Sequence, residues 1–334
     1  MTCVKNAPCC EVERGEVMKK TWYLIIGVVL LVIGCIAYGY HEHHKPKTAQ
    51  ELKTVRVAYL PITHALPVFA TKELETADGP VHVELVKYGS WPELMDALNT
   101  GKVDAASVLV ELGVKAREQG IDVRAAALGH TEGNIIIVNK DINSVQDLKG
   151  KSFAIPHKQS TQKILVDCML EEAGLSEKDV QIVEMSPPEM PSALSVGQIA
   201  GYSVAEPFGS LALEMGTGKV FEDPDHLWHD NICCALVFNG QFVDEHHDLA
   251  KAFTKAYLDA GTYLDEHPKA QEEISSKYMK FNDSVIERSL KVIGFKDLAL
   301  TEDRYNALVH HMTHIDLIKK VPSYSEFVDT SLLP

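Results

Sequence analysis

The sequence predicts an α/β fold of two similar lobes with a ligand cleft between them, and three repeated stretches carry that expectation. Ala97-Leu98-Asn99-Thr100-Gly101-Lys102-Val103 returns as Ala193-Leu194-Ser195-Val196-Gly197-Gln198-Ile199, 96 positions on. Each copy reads as a helix end, a glycine turn and a buried strand. Val57-Ala58-Tyr59-Leu60-Pro61 matches Ser152-Phe153-Ala154-Ile155-Pro156 at an offset of 95, and the alternating runs beginning at Val81 and Val180 lie 99 apart. Agreement of three marks at nearly one offset indicates an internal repeat.

A chain of 334 residues with 46% hydrophobic residues suffices for two cores of ordinary size. Its net charge of −15 argues against nucleic acid and anionic membrane surfaces as partners, since both require a basic face. The seven cysteines, at 3, 9, 10, 35, 168, 233 and 234, form no CxxC pair and no Cys/His spacing typical of zinc. Cys233 and Cys234, inside an apolar run, are expected to pack as small hydrophobes, and no metal or cofactor is expected. No GxSxG, HExxH or P-loop suggests catalysis.

The chain opens with a leader, residues 1–34. Met18-Lys19-Lys20, an apolar run from Trp22 to Ile33 and Gly34-Cys35 form an export signal whose translation is expected to start at Met18. Val32-Ile33-Gly34-Cys35 resembles a lipoprotein signal, which places a lipid on Cys35 and the remainder outside the cytoplasm, anchored to the bacterial cell membrane. An uncleaved anchor is the alternative, because residues 22–40 nearly reach the roughly 20 needed to span a bilayer. Residues 35–50 form a linker, and His41, His43 and His44 within it read as a tether or a metal-capturing tract.

Lobe one is expected over 51–140 and 232–334, lobe two over 141–231. In lobe one, strand 55–59 is followed by a helix over 65–75 with Thr63 as its N-cap. Strands 81–88, 103–108 and 123–128 alternate with helices. Ligands sit beyond the carboxyl ends of strands in such sheets, which selects Thr63, His64, Ser90, Trp91 and Ser107. The connection 129–134, ending in Asn134, leads to strand 135–139. In lobe two, Ser160, Thr161 and Gln162 open a helix above a strand, so two helix ends are expected to present amides to one cleft. Glu206, at the carboxyl end of a buried strand, needs a partner there. Strand 232–238, preceded by His229, is the return crossing, and helices follow from His247.

Tyr59-Leu60-Pro61-Ile62-Thr63-His64, Ser90-Trp91, Gly101-Lys102-Val103-Asp104-Ala105, Asp147-Leu148-Lys149-Gly150, Val204-Ala205-Glu206-Pro207-Phe208 and Trp228-His229-Asp230 together resemble the extracytoplasmic solute-binding proteins of ABC importers. The similar group handles nitrate, bicarbonate, sulfonates, taurine and thiamine-pyrimidine precursors. The resemblance, over about 54–334, implies a type II periplasmic-binding fold, a small-molecule solute, a permease with a cytoplasmic ATPase as partner, and a monomer. It matches Trp91 to the tryptophan used by the nitrate branch. His229 stands where that branch has lysine, and Thr161 and Gln162 stand near its histidine, so less positive charge is available for nitrate. Helix ends favour an anion and Glu206 an amine or ring N–H, which keeps taurine-like zwitterions and pyrimidine heterocycles open. A pyrimidine-synthase-like enzyme and an anchored sensor are the alternatives from other classes; the first expects a cysteine-rich segment, the second an outside transmitter.

Overall fold

The computed structural model describes residues 53–334, together with scattered positions between Trp22 and Gly34 that are helical and exposed where their side chains are described. The leader start, the lipid site at Cys35 and the His41–His44 tract lie outside the described residues. Among the described residues no helix is long and apolar enough to cross a membrane. Residues 53–334 form one compact unit.

Two five-stranded sheets organise that unit. The first comprises β1 (Thr54–Tyr59), β2 (His82–Lys87), β3 (Ala105–Leu109), β4 (Val123–Leu128) and β11 (Cys234–Asn239), ordered β2-β1-β3-β11-β4. The second comprises β6 (Asn134–Asn139), β7 (Ser152–Ile155), β8 (Gln181–Glu184), β9 (Gly201–Ala205) and β10 (Gly218–Val220), ordered β10-β6-β9-β7-β8. Read from opposite ends, the orders are the same, with β7, β8 and β9 standing for β1, β2 and β3. In each sheet one antiparallel strand, β11 or β6, is inserted beside a parallel trio. A short pair, β5 (Thr131–Glu132) with β12 (Ile293–Gly294), lies at the crossing between lobes.

The repeat survives at residue level. Val57 pairs with Ala105 and Phe153 pairs with Gly201, each partner 96 positions on from its counterpart. Helices α1 (Leu66–Leu74), α2 (Trp91–Asn99), α3 (Val110–Glu118), α4 (Thr161–Glu172) and α5 (Met190–Ser195) flank the sheets, with α6 (Phe208–Glu214) and α7 (Pro224–Leu227) following. Both α2 and α5 lead through a residue at their C-cap into a left-handed glycine, Gly101 with φ 69° and Gly197 with φ 72°. There Lys102 N–H reaches Ala97 O at 2.9 Å and Gln198 N–H reaches Ala193 O at 2.9 Å. Only glycine adopts that φ without steric cost, which is why the glycine marks both copies.

Central strands β3, β9 and β11 are buried at every residue because helices cover both faces, whereas the edge strand β8 exposes its ends. Most of the helices after β11 pack on lobe one, while Asp283–Leu290 also packs on α6 of lobe two. They are α8 (Gly240–Glu245), α9 (His247–Glu266), α10 (Pro268–Tyr278), α11 (Asp283–Leu290), α12 (Glu302–His314) and α13 (Tyr324–Phe327). In α9 the buried residues Ala250, Phe253, Tyr257, Ala260 and Leu264 recur at helical spacing.

Three expectations shift. Residues 134–139, expected within lobe one, pair with β9 in the second sheet, so the chain crosses between lobes at 129–133. The helix after β1 begins as a 3-10 turn, Thr63–Ala65, and Thr63 is not its N-cap: Ile62 is, and no side chain caps it. Strand 103–108 runs instead over Ala105–Leu109, since Asp104 turns to Arg56, which bonds its carboxylate at 2.6 Å.

Candidate functional site

The functional edge of each sheet is the one holding the carboxyl ends of its parallel strands and the amino end of its antiparallel strand. In lobe one this edge presents His64 after β1, Glu111 after β3, His130 after β4, and Cys233-Cys234 at the start of β11. In lobe two it presents Ser160, Thr161 and Gln162 after β7, Glu206 after β9, and Asn134 at the start of β6. Glu111 and Glu206 are thus counterparts, 95 positions apart.

The two edges meet through buried hydrogen bonds. Thr63 donates its backbone N–H (3.1 Å) and Oγ1–H (2.9 Å) to the carbonyl oxygen of Glu206. Thr161 Oγ1 lies 2.5 Å from Glu111 Oε1 and 2.7 Å from the carbonyl oxygen of Ile232. One hydroxyl proton cannot serve both acceptors. Burial, reinforced by the nearby Cys233 sulfur, pushes the Glu111 carboxyl well above the ordinary carboxylate range, so a protonated Glu111 donates to Thr161 while Thr161 donates to Ile232. Gln162 Nε2 donates to Asn134 Oδ1 at 2.7 Å and to Cys233 Sγ at 3.3 Å. Asn134 passes the chain on to Asn231 Oδ1 at 3.0 Å. The Glu206 carboxyl accepts from Ser210 N–H at 2.9 Å and Ser210 Oγ–H at 2.8 Å, and burial raises its pKa.

Beneath this contact lie His64, His130, Cys233 and Cys234, all buried, each offering one donor atom within 4.8 Å of the others. The sulfurs are 3.9 Å apart, and Cys234 Sγ is 3.5 Å from His64 Nδ1. His64 Nε2 is 2.9 Å from Gly133 O, which can only accept, so that nitrogen carries a proton and Nδ1 is turned toward Cys234. Gly133 itself sits at φ 81°, and a Cβ there would lie 2.8 Å from Ile293 and 3.1 Å from His64 Nε2. Burial and neighbouring His64 bring His130 down to about 4, so its imidazole is neutral. Burial opposes ionisation of Cys233, yet the Cys234 thiol and the two imidazoles outweigh it and draw its pKa down. Burial and the adjacent sulfur push Cys234 up. Glu111 Oε2, His130 Nδ1, Gln162 Oε1 and Ser107 Oγ are buried without a hydrogen-bond partner.

Of the residues expected at the site, Thr63, His64, Asn134, Thr161, Gln162 and Glu206 enter this network. Ser160 caps α4, accepting from Lys163 N–H at 3.1 Å. Ser107 is buried on β3, Trp91 packs in the core of lobe one with its indole nitrogen unpartnered, and half-buried Ser90 precedes α2 without capping it. His229 does not join them: it is a surface residue paired with Asp225 at 3.0 Å. The reading of the sequence missed Glu111, His130, Cys233 and Cys234 as site residues. Cys233 and Cys234 are buried as expected, but their sulfurs face imidazoles rather than only apolar packing. The signal that finds all four is the sheet edge, once the antiparallel strand β11 is included and its amino end counted.

Comparison with known proteins places the whole unit. Residues 48–278 match the NMT1-like family. A putative aliphatic sulfonates-binding protein of Bacillus subtilis is 28% identical over 285 residues, covering 82% of each chain. The nitrate import ATP-binding protein NrtC of Synechocystis sp. is 25% identical over 239 residues, 65% of this chain and only 36% of that protein's length. Among solved structures, a ligand-binding component of an ABC-type import system from Staphylococcus aureus, with zinc bound, is 35% identical. It aligns with a TM-score of 0.80 over 84% of this chain and 97% of its own. The chain belongs to the NMT1-like family, with the two-lobed periplasmic-binding fold.

Proposed function

We propose that the chain is the solute-binding component of an ABC importer, which captures a small solute outside the cytoplasm and delivers it to a permease driven by an ATPase. The observation that carries this reading is the meeting of the two sheet edges, where Thr63 bonds Glu206, Thr161 bonds Glu111 and Gln162 bonds Cys233, each pair joining one lobe to the other. Bonds of this kind form only when the lobes are shut, and parting at 129–133 and 229–232 exposes both edges at once. The relatives support the same reading, since one is named a nitrate import ATP-binding protein and the other a putative aliphatic sulfonates-binding protein. A lipid on Cys35 then holds the chain at the membrane close to its permease.

A thermal-shift panel on the reduced chain with nitrate, taurine, alkanesulfonates, bicarbonate, pyrimidines and divalent metal ions tests this. A captured solute at 100 times its Kd adds about 2.7 kcal/mol to the stability of the folded state. Deleting the gene abolishes uptake of that same solute. A solute that stabilises the chain but whose uptake survives deletion contradicts the importer reading.

A further inference from the structure

We propose that the guest enclosed between the lobes is a thiophilic metal ion of the zinc class, held by Cys233 Sγ, Cys234 Sγ and one ring nitrogen each of His64 and His130. This inference rests on the reading of the cleft as the solute site and names the solute's class.

Two of the donor separations are those of a tetrahedral site, while the His64 and His130 rings, 3.6 Å apart between centroids, must splay to complete it. Bond lengths of about 2.3 Å to sulfur and 2.0 Å to nitrogen at tetrahedral angles require S···S near 3.8 Å and S···N near 3.5 Å. The observed separations are 3.9 Å between the sulfurs and 3.5 Å from Cys234 Sγ to His64 Nδ1. Two thiolates and two imidazoles suit zinc or another soft ion and disfavour magnesium or calcium.

The surroundings fit as well. His64 is oriented from behind by Gly133 O at 2.9 Å, which turns Nδ1 toward Cys234, the outer-shell arrangement that metal-bound histidines show. His130 Nδ1 is buried without a hydrogen-bond partner, while Nε2 faces the Cys234 backbone N–H at 3.4 Å. Two thiolates neutralise a dication, so the filled site carries no net charge in an interior where an unbalanced one is costly. An anion finds the reverse: the groups joined here are thiols, a carboxyl, imidazoles, hydroxyls and amides. The nearby buried lysine, Lys163, is committed to Asp167 and Glu177.

The four donors all come from the edge of lobe one and its crossing segments, while lobe two contributes Gln162, 3.3 Å from Cys233 Sγ. Because the donors are fully buried, the ion enters only with the lobes apart. Gln162 bonds one of the site's sulfurs from across the cleft, so loading and closure reinforce one another.

The experiment uses the full chain, reduced and stripped of metal, titrated with Zn2+ alone and assayed by equilibrium dialysis with elemental analysis. One ion per chain is expected. Co2+ in its place gives thiolate-to-cobalt charge transfer and the intense visible bands of a tetrahedral centre. Cys233→Ser and His64→Gln, the latter keeping a donor for Gly133 O, each weaken binding roughly 100-fold or more. Circular dichroism of the metal-free variants confirms that they fold; if one does not, Cys234→Ser replaces it. Absence of binding overturns the proposal, and so does a stoichiometric ion held equally well by wild type and folded variants. A chain stabilised by nitrate, taurine or an alkanesulfonate but not by Zn2+ refutes the metal and preserves the importer; one stabilised by no solute at all, with uptake unaffected by deletion, refutes both.

Discussion

Thr161 Oγ1, at the start of α4 in lobe two, lies 2.5 Å from Glu111 Oε1, at the start of α3 in lobe one. Both groups are fully buried, and the bond exists only while the lobes are shut. Thr161→Val keeps the shape and removes the hydroxyl, stranding Glu111 and the Ile232 carbonyl. The closed form loses about 1–3 kcal/mol, and the open form nothing. Titration calorimetry then reads a solute affinity about 5- to 150-fold weaker with the solute-free Tm unchanged. Glu111→Gln, a neutral side chain of the same shape, is tolerated better than Glu111→Lys, which buries a cation against Thr161 and the His/Cys group.

Gly133 joins the two lobes and orients His64. Gly133→Ala forces a side chain into φ 81° with its Cβ 2.8 Å from Ile293. The cost is about 1–3 kcal/mol of folding stability, read by urea denaturation. Solute affinity falls with it, since His64 loses its anchor.

The internal repeat predicts matched energetics. Leu98 and Leu194 occupy the same place in the two copies, and both are fully buried. Leu98→Ala and Leu194→Ala each cost about 2–5 kcal/mol through lost burial and the cavity left behind. Chemical denaturation gives comparable losses at both sites; a neutral effect at either one breaks the equivalence.

Asp167, on the buried side of α4 beside Lys163, is raised from 3.8 to about 6 by burial, against the pull of Lys163. Between those values the native state binds more protons than the unfolded chain, so unfolding free energy falls as pH rises from about 4 to about 6. The contribution is about 1–2 kcal/mol once solvent screening is allowed for. Asp167→Asn removes it, and the stability-against-pH curves of variant and wild type diverge by that amount across the window. Parallel curves refute the assignment.

His229 is exposed and bonded to Asp225. His229→Ala leaves solute affinity unchanged in the same calorimetric assay, although the resemblance to nitrate-binding proteins marks that position as a contact.

The fold was legible because its evidence is local and occurs twice. The glycine turns at Gly101 and Gly197 and the alternating strands are written in adjacent residues, and their common offset reappears in the pairing of Val57 with Ala105 and Phe153 with Gly201. The lobe boundary was harder, because strand 134–139 is as apolar as its neighbours and nothing local says which sheet it joins. Half the site was legible by the rule that ligands gather at carboxyl ends of parallel strands. Cys233 and Cys234 escaped because they begin an antiparallel strand, and His130 because its partners are far off in sequence. Four donors drawn from three separated segments leave no motif. Thr63 was read as the cap of its own helix, whereas its hydroxyl reaches across to Glu206.

The central claim is that the lobes close on a guest at these two edges. Small-angle X-ray scattering of the reduced chain, alone and with each member of the solute panel including Zn2+, tests it most directly. The account predicts a smaller radius of gyration with one of them, abolished by Glu111→Lys. An unchanged radius with every solute, or compaction that survives Glu111→Lys, contradicts it.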